Sequence, residues 1–301
     1  MKRFKLKIVT TFMVAILIIT TALTGCSKTS RTIKIATKPM TEQFILSEMI
    51  SLLIKDNTDL NVEITKGIGG GTSNIHPAIV KGDFDLYPEY TGTGWSAVLK
   101  EEEIPDNDTL YKELKSKYEE QYKLKWIGLY GFNNTYGLVI RKDIAEKYNI
   151  KTYSDLAKYA PELNFGAEYD FYEREDGYNA LCSAYGFKFK KASDMDIGLK
   201  YQAINSNEID VMNVFTTDGQ LSTSDVVTLK DDKNFFTNYY CGTVVRKDTL
   251  EKYPELEDVL MKMQDIITDS EMAKLNYEVE NNKRDEKDVA KEFLTSKGLL
   301  K

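Results

Sequence analysis

The 301 residues contain one histidine, two tryptophans, three cysteines and six prolines. A single histidine excludes His-rich metal centres and makes histidine-based acid–base catalysis a poor fit. Familiar catalytic loops are also missing. There is no G-x-S-x-G elbow. The one glycine cluster, Gly67-Ile68-Gly69-Gly70-Gly71-Thr72, lacks the lysine of a phosphate-binding loop, and Thr72 stands where a dinucleotide fingerprint needs its third glycine. That cluster is either a tight turn or a set of backbone N–H groups offered to an anion. Basic residues are not in excess. With 40 Lys+Arg against 47 Asp+Glu the net charge is −7, which argues against a nucleic-acid surface. Cys182 and Cys241 fit no metal-binding spacing and read as two small thiols, with a disulfide left open. Acidic pairs such as Asp83/Asp85 and Glu173/Glu175 do not stand out from the many charges around them, and His76 reads as a surface or capping residue.

What is present is an ordinary globular composition, 42% hydrophobic and 29% charged, with 19 tyrosines against 13 phenylalanines. At the N-terminus Lys2, Arg3, Lys5 and Lys7 precede an uncharged run over residues 8–23. Basic start, short apolar run and small residues describe a secretory leader. The segment Leu23-Thr24-Gly25-Cys26 resembles the bacterial lipobox, which implies that residues 1–25 are removed and Cys26 carries the lipid. Loss of the four leader charges takes −7 to −11 for the mature chain. Residues 26–32 then form a polar tether. No later run reaches the roughly 20 apolar residues of a membrane helix.

Beyond the tether, strands and helices alternate. Ile33-Lys34-Ile35-Ala36 reads as a strand, and residues 41–55 as an amphipathic helix with Thr41 at its N-cap and Phe44, Ile45, Met49, Leu52 and Leu53 on its apolar face. Val62-Glu63-Ile64 and Asp83-Phe84-Asp85-Leu86-Tyr87 read as further strands. This order predicts an α/β fold with a largely parallel sheet. The phrase Gly137-Leu138-Val139-Ile140-Arg141-Lys142-Asp143 returns as Gly242-Thr243-Val244-Val245-Arg246-Lys247-Asp248, an internal echo that suits two lobes. The expected division is 33–131 plus 238–301 for the first lobe and 132–237 for the second, inserted one. The charged, helical C-terminal stretch packs back on the first lobe.

Aromatic residues sit beside Gly, Asn or Thr where strands end, at Tyr87 and Tyr90, Phe132 and Tyr136, Phe215, and Phe235 to Tyr240. Ligands of open α/β sheets bind beyond strand ends. Ring faces there suit a quaternary ammonium, whose methyl groups donate no strong hydrogen bond. On composition alone, rings at strand ends are usually core or edge packing.

These segments also carry a family resemblance. Met40-Thr41-Glu42-Gln43, Tyr87-Pro88-Glu89-Tyr90-Thr91-Gly92-Thr93, Asn134-Thr135-Tyr136, Arg174-Glu175-Asp176-Gly177-Tyr178, Thr217-Asp218-Gly219, Phe235-Phe236 and Leu275-Asn276-Tyr277-Glu278-Val279 together resemble the substrate-binding lipoproteins of osmoprotectant ABC transporters. The resemblance implies a two-lobed periplasmic-binding-protein fold of type II with the ligand in the cleft. It also implies no enzymatic activity, no cofactor and no metal. The ligand would be a quaternary ammonium such as glycine betaine, carnitine or choline, the partner an ABC permease, and the location the outer face of the cytoplasmic membrane, held through the lipid on Cys26. Position by position, Tyr90, Tyr136 and Tyr239 match the tyrosine cage, with Tyr240 an alternative to Tyr239, and Phe215 replaces a fourth tyrosine. Tyr90 and Tyr239 would come from one lobe, Tyr136 and Phe215 from the other. Thr93 stands where some choline-restricted relatives have Asp, which implies tolerance of zwitterions. Lys38 is either a partner for a ligand carboxylate or a solvated strand-end lysine. The rival reading is an amino-acid or other anion receptor of the same fold, with Arg174 as its clamp.

Overall fold

The computed structural model describes residues 31–101, 105–168, 171–172, 177–195, 199–236 and 238–300. The leader, Cys26 and residues 173–176, including Arg174, Glu173 and Glu175, lie outside the described residues. Among the described residues the folded body spans 32–300.

Two five-stranded sheets organise it. The first contains β1 (Thr32–Ala36), β2 (Asn61–Thr65), β3 (Leu86–Tyr90), β4 (Leu124–Asn133) and β10 (Tyr240–Arg246), in the order β2-β1-β3-β10-β4. The second contains β5 (Tyr136–Arg141), β6 (Asn164–Ala167), β7 (Lys191–Asp194), β8 (Val211–Phe215) and β9 (Val226–Thr228), in the order β7-β6-β8-β5-β9. Neither sheet is largely parallel. β1 runs parallel to β3, but β10 is antiparallel to both its neighbours; β6 runs parallel to β7 and β8, but β5 is antiparallel to β8 and β9. The reason is connectivity. β5 and β10 each enter a sheet directly from the other one, so they arrive from the cleft side and run against the strands wound in by helical crossovers.

The sequence echo is a repeated piece of construction. β5 runs into α4 (Lys142–Tyr148) and β10 into α8 (Lys247–Lys252). At each junction an arginine closes on the carboxylate two residues ahead: Arg141 on Asp143 and Arg246 on Asp248. An aspartate leading the neighbouring strand also recurs. Asp210 accepts from the Asn164 amide at 2.8 Å, and Asp85 from the Lys34 amide at 2.8 Å.

Among the described residues the α-helices longer than one turn are α1 (Thr41–Asn57), α2 (Thr72–Lys81), α3 (Asn107–Tyr122), α4, α5 (Tyr153–Ala157), α6 (Tyr178–Tyr185), α7 (Lys200–Asn205), α8, α9 (Glu255–Met261), α10 (Asp269–Glu280) and α11 (Glu286–Ser296). Thr41 is the first helical residue of α1, not its cap. Met40 holds the cap position with extended backbone and gives no side-chain bond. Nor is α1 a surface helix with one wet face. Glu42, Gln43, Ser47 and Ser51 are buried along with its apolar residues, because α9, α10 and α11 cover the side away from the sheet. Its apolar residues join β1, β3, α10 and α11 in one core. Leu138, Phe165, Val211 and surrounding rings form a separate core around the second sheet.

His76 is buried, contrary to the surface or capping role expected of it. It packs edge-on to Tyr122 and Tyr118, at 4.6 and 5.6 Å between ring centres, with Nδ1 3.4 Å from the Tyr87 hydroxyl. Burial lowers its pKa below that of an ordinary imidazole. Cys182 and Cys241 are free thiols, one on α6 beside the second sheet and one in β10 of the first.

Candidate functional site

The six residues singled out by the sequence share one cavity. Tyr90, Thr93, Tyr136, Phe215, Tyr239 and Lys38, together with Met40, Asn134 and Thr135, line a space of about 330 Å³. Tyr90 ends β3 and Tyr239 precedes β10, so two rings come from the first sheet. Tyr136 opens β5 and Phe215 ends β8, so two come from the second. Tyr239 lines this cavity, whereas Tyr240 faces a different groove beside α3.

Strand register sets the second-sheet wall. Tyr136 and Phe215 are direct partners across the antiparallel β5–β8 pair, and their rings stack with centres 4.7 Å apart. Phe171 and Phe236 back Tyr136 at 5.4 and 5.8 Å. The first-sheet wall depends on polar supports. Tyr90 is buried and donates its hydroxyl to Glu42 Oε1 at 2.5 Å. The same oxygen accepts from Asn134 Nδ2 at 3.1 Å. Burial raises the pKa of Glu42, and burial followed by the Glu42 charge raises that of Tyr90.

Lys38 is neither solvated nor unpartnered. Its Nζ pairs with Glu89 and lies 4.7 Å from the centre of the Tyr90 ring. Glu89 is fully buried. Its second oxygen accepts from Thr72 Oγ1 at 2.6 Å, and its first also accepts from the Tyr90 amide at 2.7 Å. The ion pair therefore underlies the cavity, with the lysine head at its edge. No carboxylate is among the cavity-lining side chains of the described residues.

The glycine cluster acts as a turn. Gly67, Gly70 and Gly71 all have positive φ, a conformation that disfavours any other residue there. The loop is tied to Thr37, whose carbonyl accepts from the Ile68 amide at 2.9 Å and whose hydroxyl accepts from the Gly67 amide at 3.0 Å.

A family model for the substrate-binding domain of the ABC-type glycine betaine transport system matches residues 31–296. The chain belongs to that family. Among relatives of this glycine betaine-type domain, an ergothioneine transport permease/binding protein of Helicobacter pylori is 48% identical over 265 residues. The match covers 88% of this chain and 47% of that protein, so the chain spans about half its length. The carnitine transport binding protein of Listeria monocytogenes is 38% identical over 298 residues, covering 96% of both chains. A solved structure described as a glycine betaine/carnitine/choline ABC transporter matches with TM-score 0.84 at 32% identity, over 89% of this chain and 99% of that one. The two-sheet architecture is thus the two-lobed periplasmic substrate-binding fold, with one lobe around each sheet.

Several features of this family member's site escaped the sequence reading. Glu42, Glu89, Asn134 and Gly92 all support the cavity. A β-carbon on Gly92 would lie 2.7 Å from Tyr239 Cε1 and 2.9 Å from its Cδ1, so the ring rests directly on that backbone. Gly92→Ala should therefore push Tyr239 out of place. The expected result is a roughly tenfold loss of ligand affinity, equivalent to about 1.4 kcal/mol. Calorimetry should show that loss while the melting temperature moves by only a few degrees.

Proposed function

We propose that this chain is the capture component of an ABC importer for small trimethylammonium compounds, chiefly zwitterions. The observation that carries this reading is the cavity with two rings from each lobe and no carboxylate in its lining. A methylated ammonium gains from ring faces, at roughly 0.5–2 kcal/mol each. An amino-acid receptor would instead need an acid for the amine. Three or four rings with polar help would support micromolar binding, near −8 kcal/mol. Thr93, Asn134 and Lys38 place donors at the same cavity, in keeping with a ligand carboxylate.

Glycine betaine, carnitine and choline fit this description. So does ergothioneine, the betaine of a thiolated histidine, for which the Helicobacter relative is named. The lobes are taken as 33–131 plus 238–301 and 132–237, with the mature chain tethered outside the cytoplasmic membrane through lipid on Cys26. It would deliver its ligand to a permease. No helix of the described residues is long and apolar enough to cross a membrane.

Titration calorimetry of the purified chain tests the ligand class. Glycine betaine, carnitine, choline and ergothioneine are set against glycine and histidine, which have no quaternary nitrogen. At least one methylated compound should bind in the micromolar range and the unmethylated pair at least about 100-fold more weakly, a gap of about 2.7 kcal/mol. Equal binding of glycine and glycine betaine would end this reading.

A further inference from the structure

The lobes meet at a third place besides the two chain crossings. The crossings run side by side: Asn133 Nδ2 donates to Asn238 Oδ1 at 2.6 Å, and the Tyr239 amide donates to Asn133 Oδ1 at 2.7 Å. Apart from them, the turn after β8 in the second lobe docks on α10, a helix of the first lobe's core. The docking is backbone on backbone. A β-carbon at Gly219 would fall 2.8 Å from the Tyr277 amide nitrogen and 3.0 Å from its Cα. Gly219 has no positive φ, so proximity to α10 is the only constraint that excludes a side chain there.

Polar contacts reinforce this docking. Asn276 Nδ2, on α10, donates to the Thr217 carbonyl at 2.9 Å and reaches Glu42 Oε2 at 3.4 Å. The turn is held stiff by Asp218, which accepts from the Tyr201 hydroxyl at 3.1 Å and from the Phe215 amide at 3.2 Å. The N-terminal end of α10 touches the first crossing, where Asp269 Oδ1 accepts from the Asn133 amide at 2.7 Å.

We propose that α10 is an inter-lobe latch, in which Gly219 and Asn276 act as positioning residues that hold the Phe215 wall against the Tyr90 wall. A hinged receptor binds with an apparent dissociation constant equal to the intrinsic one divided by the fraction of its competent, closed form. Contacts present only when the lobes are together raise that fraction before any ligand arrives. Thr217, Gly219 and Asn276 do not line the ring cavity but an adjoining cleft that shares Phe215 with it, and the latch starts two residues after Phe215, so its strength sets how far that ring swings with its lobe.

The test measures the distance between spin labels on the exposed residues Asp59 and Asn207, one on each lobe, in the full chain without ligand. Wild type should show a short-distance population that falls at least threefold in Gly219→Ala. Asn276→Ala, which leaves the turn's backbone untouched, should shift the distribution the same way. In both variants saturating glycine betaine should restore the wild-type distance while its apparent Kd rises about tenfold. Unchanged ligand-free distances in both variants would overturn the latch. So would a weaker Kd without any change in distance, since the turn would then act on the pocket alone. The ligand-free measurement stands even if the ligand class is wrong, because it uses no ligand.

Discussion

Replacing Tyr136 with alanine should weaken binding of a trimethylammonium ligand about 10- to 30-fold, or roughly 1.4–2 kcal/mol. Tyr136→Phe should retain most of the affinity. The difference follows from which part of the residue faces the cavity. Its ring stacks on Phe215 and leans on Phe171 and Phe236, so truncation removes one face from the ligand and deprives Phe215 of its support. Phenylalanine restores both. Calorimetry on the three proteins, with thermal melts to confirm folding, checks the order wild type, Phe, Ala. An alanine variant that binds as tightly as wild type would place the ligand elsewhere.

The largest stability effect should come from Lys38→Met. Glu89 is fully buried, and its only ionic partner among the described residues is Lys38. Removing one member of a buried pair leaves an uncompensated charge and typically costs about 3–5 kcal/mol. Thr72 and the Tyr90 amide would remain as hydrogen-bond donors, which cannot neutralise the carboxylate. For a body of this size the melting temperature should drop by about 10 °C. Adding Glu89→Gln to Lys38→Met should recover most of the loss, because the charge is then gone, the Tyr90 amide keeps an oxygen to meet, and the Thr72 hydroxyl can turn to accept from the new amide NH2. Calorimetric melting of the two single variants and the double variant measures the coupling. A single-variant shift under about 2 °C would show that Glu89 can lose its partner without penalty.

The strand-end aromatics were legible because each ring sits next to a turn residue, and turn chemistry is local. The repeated Arg-Lys-Asp phrase was legible for the same reason: each arginine closes on an aspartate two positions away. Strand direction was less so. Alternation of strands and helices implies parallel pairing only while the chain stays within one sheet, and β5 and β10 come across from the other. The supports of the cavity were hidden by distance along the chain. Glu42 looks like an ordinary acidic residue in the first turn of a helix, yet its partners lie 48, 92 and 234 positions away. Glu89 is similar, meeting Lys38 at a separation of 51. Gly92 and Gly219 gave no sign either. Both have ordinary backbone angles, and what excludes a side chain is a neighbour that only the fold supplies.

The direct pairing of Tyr136 with Phe215 across β5 and β8 has a kinetic consequence. Two rings carried on paired strands and stacked on each other have little rotational freedom left to lose when a guest arrives. On the proposed function, that lobe would be the ready landing platform for a methylated nitrogen.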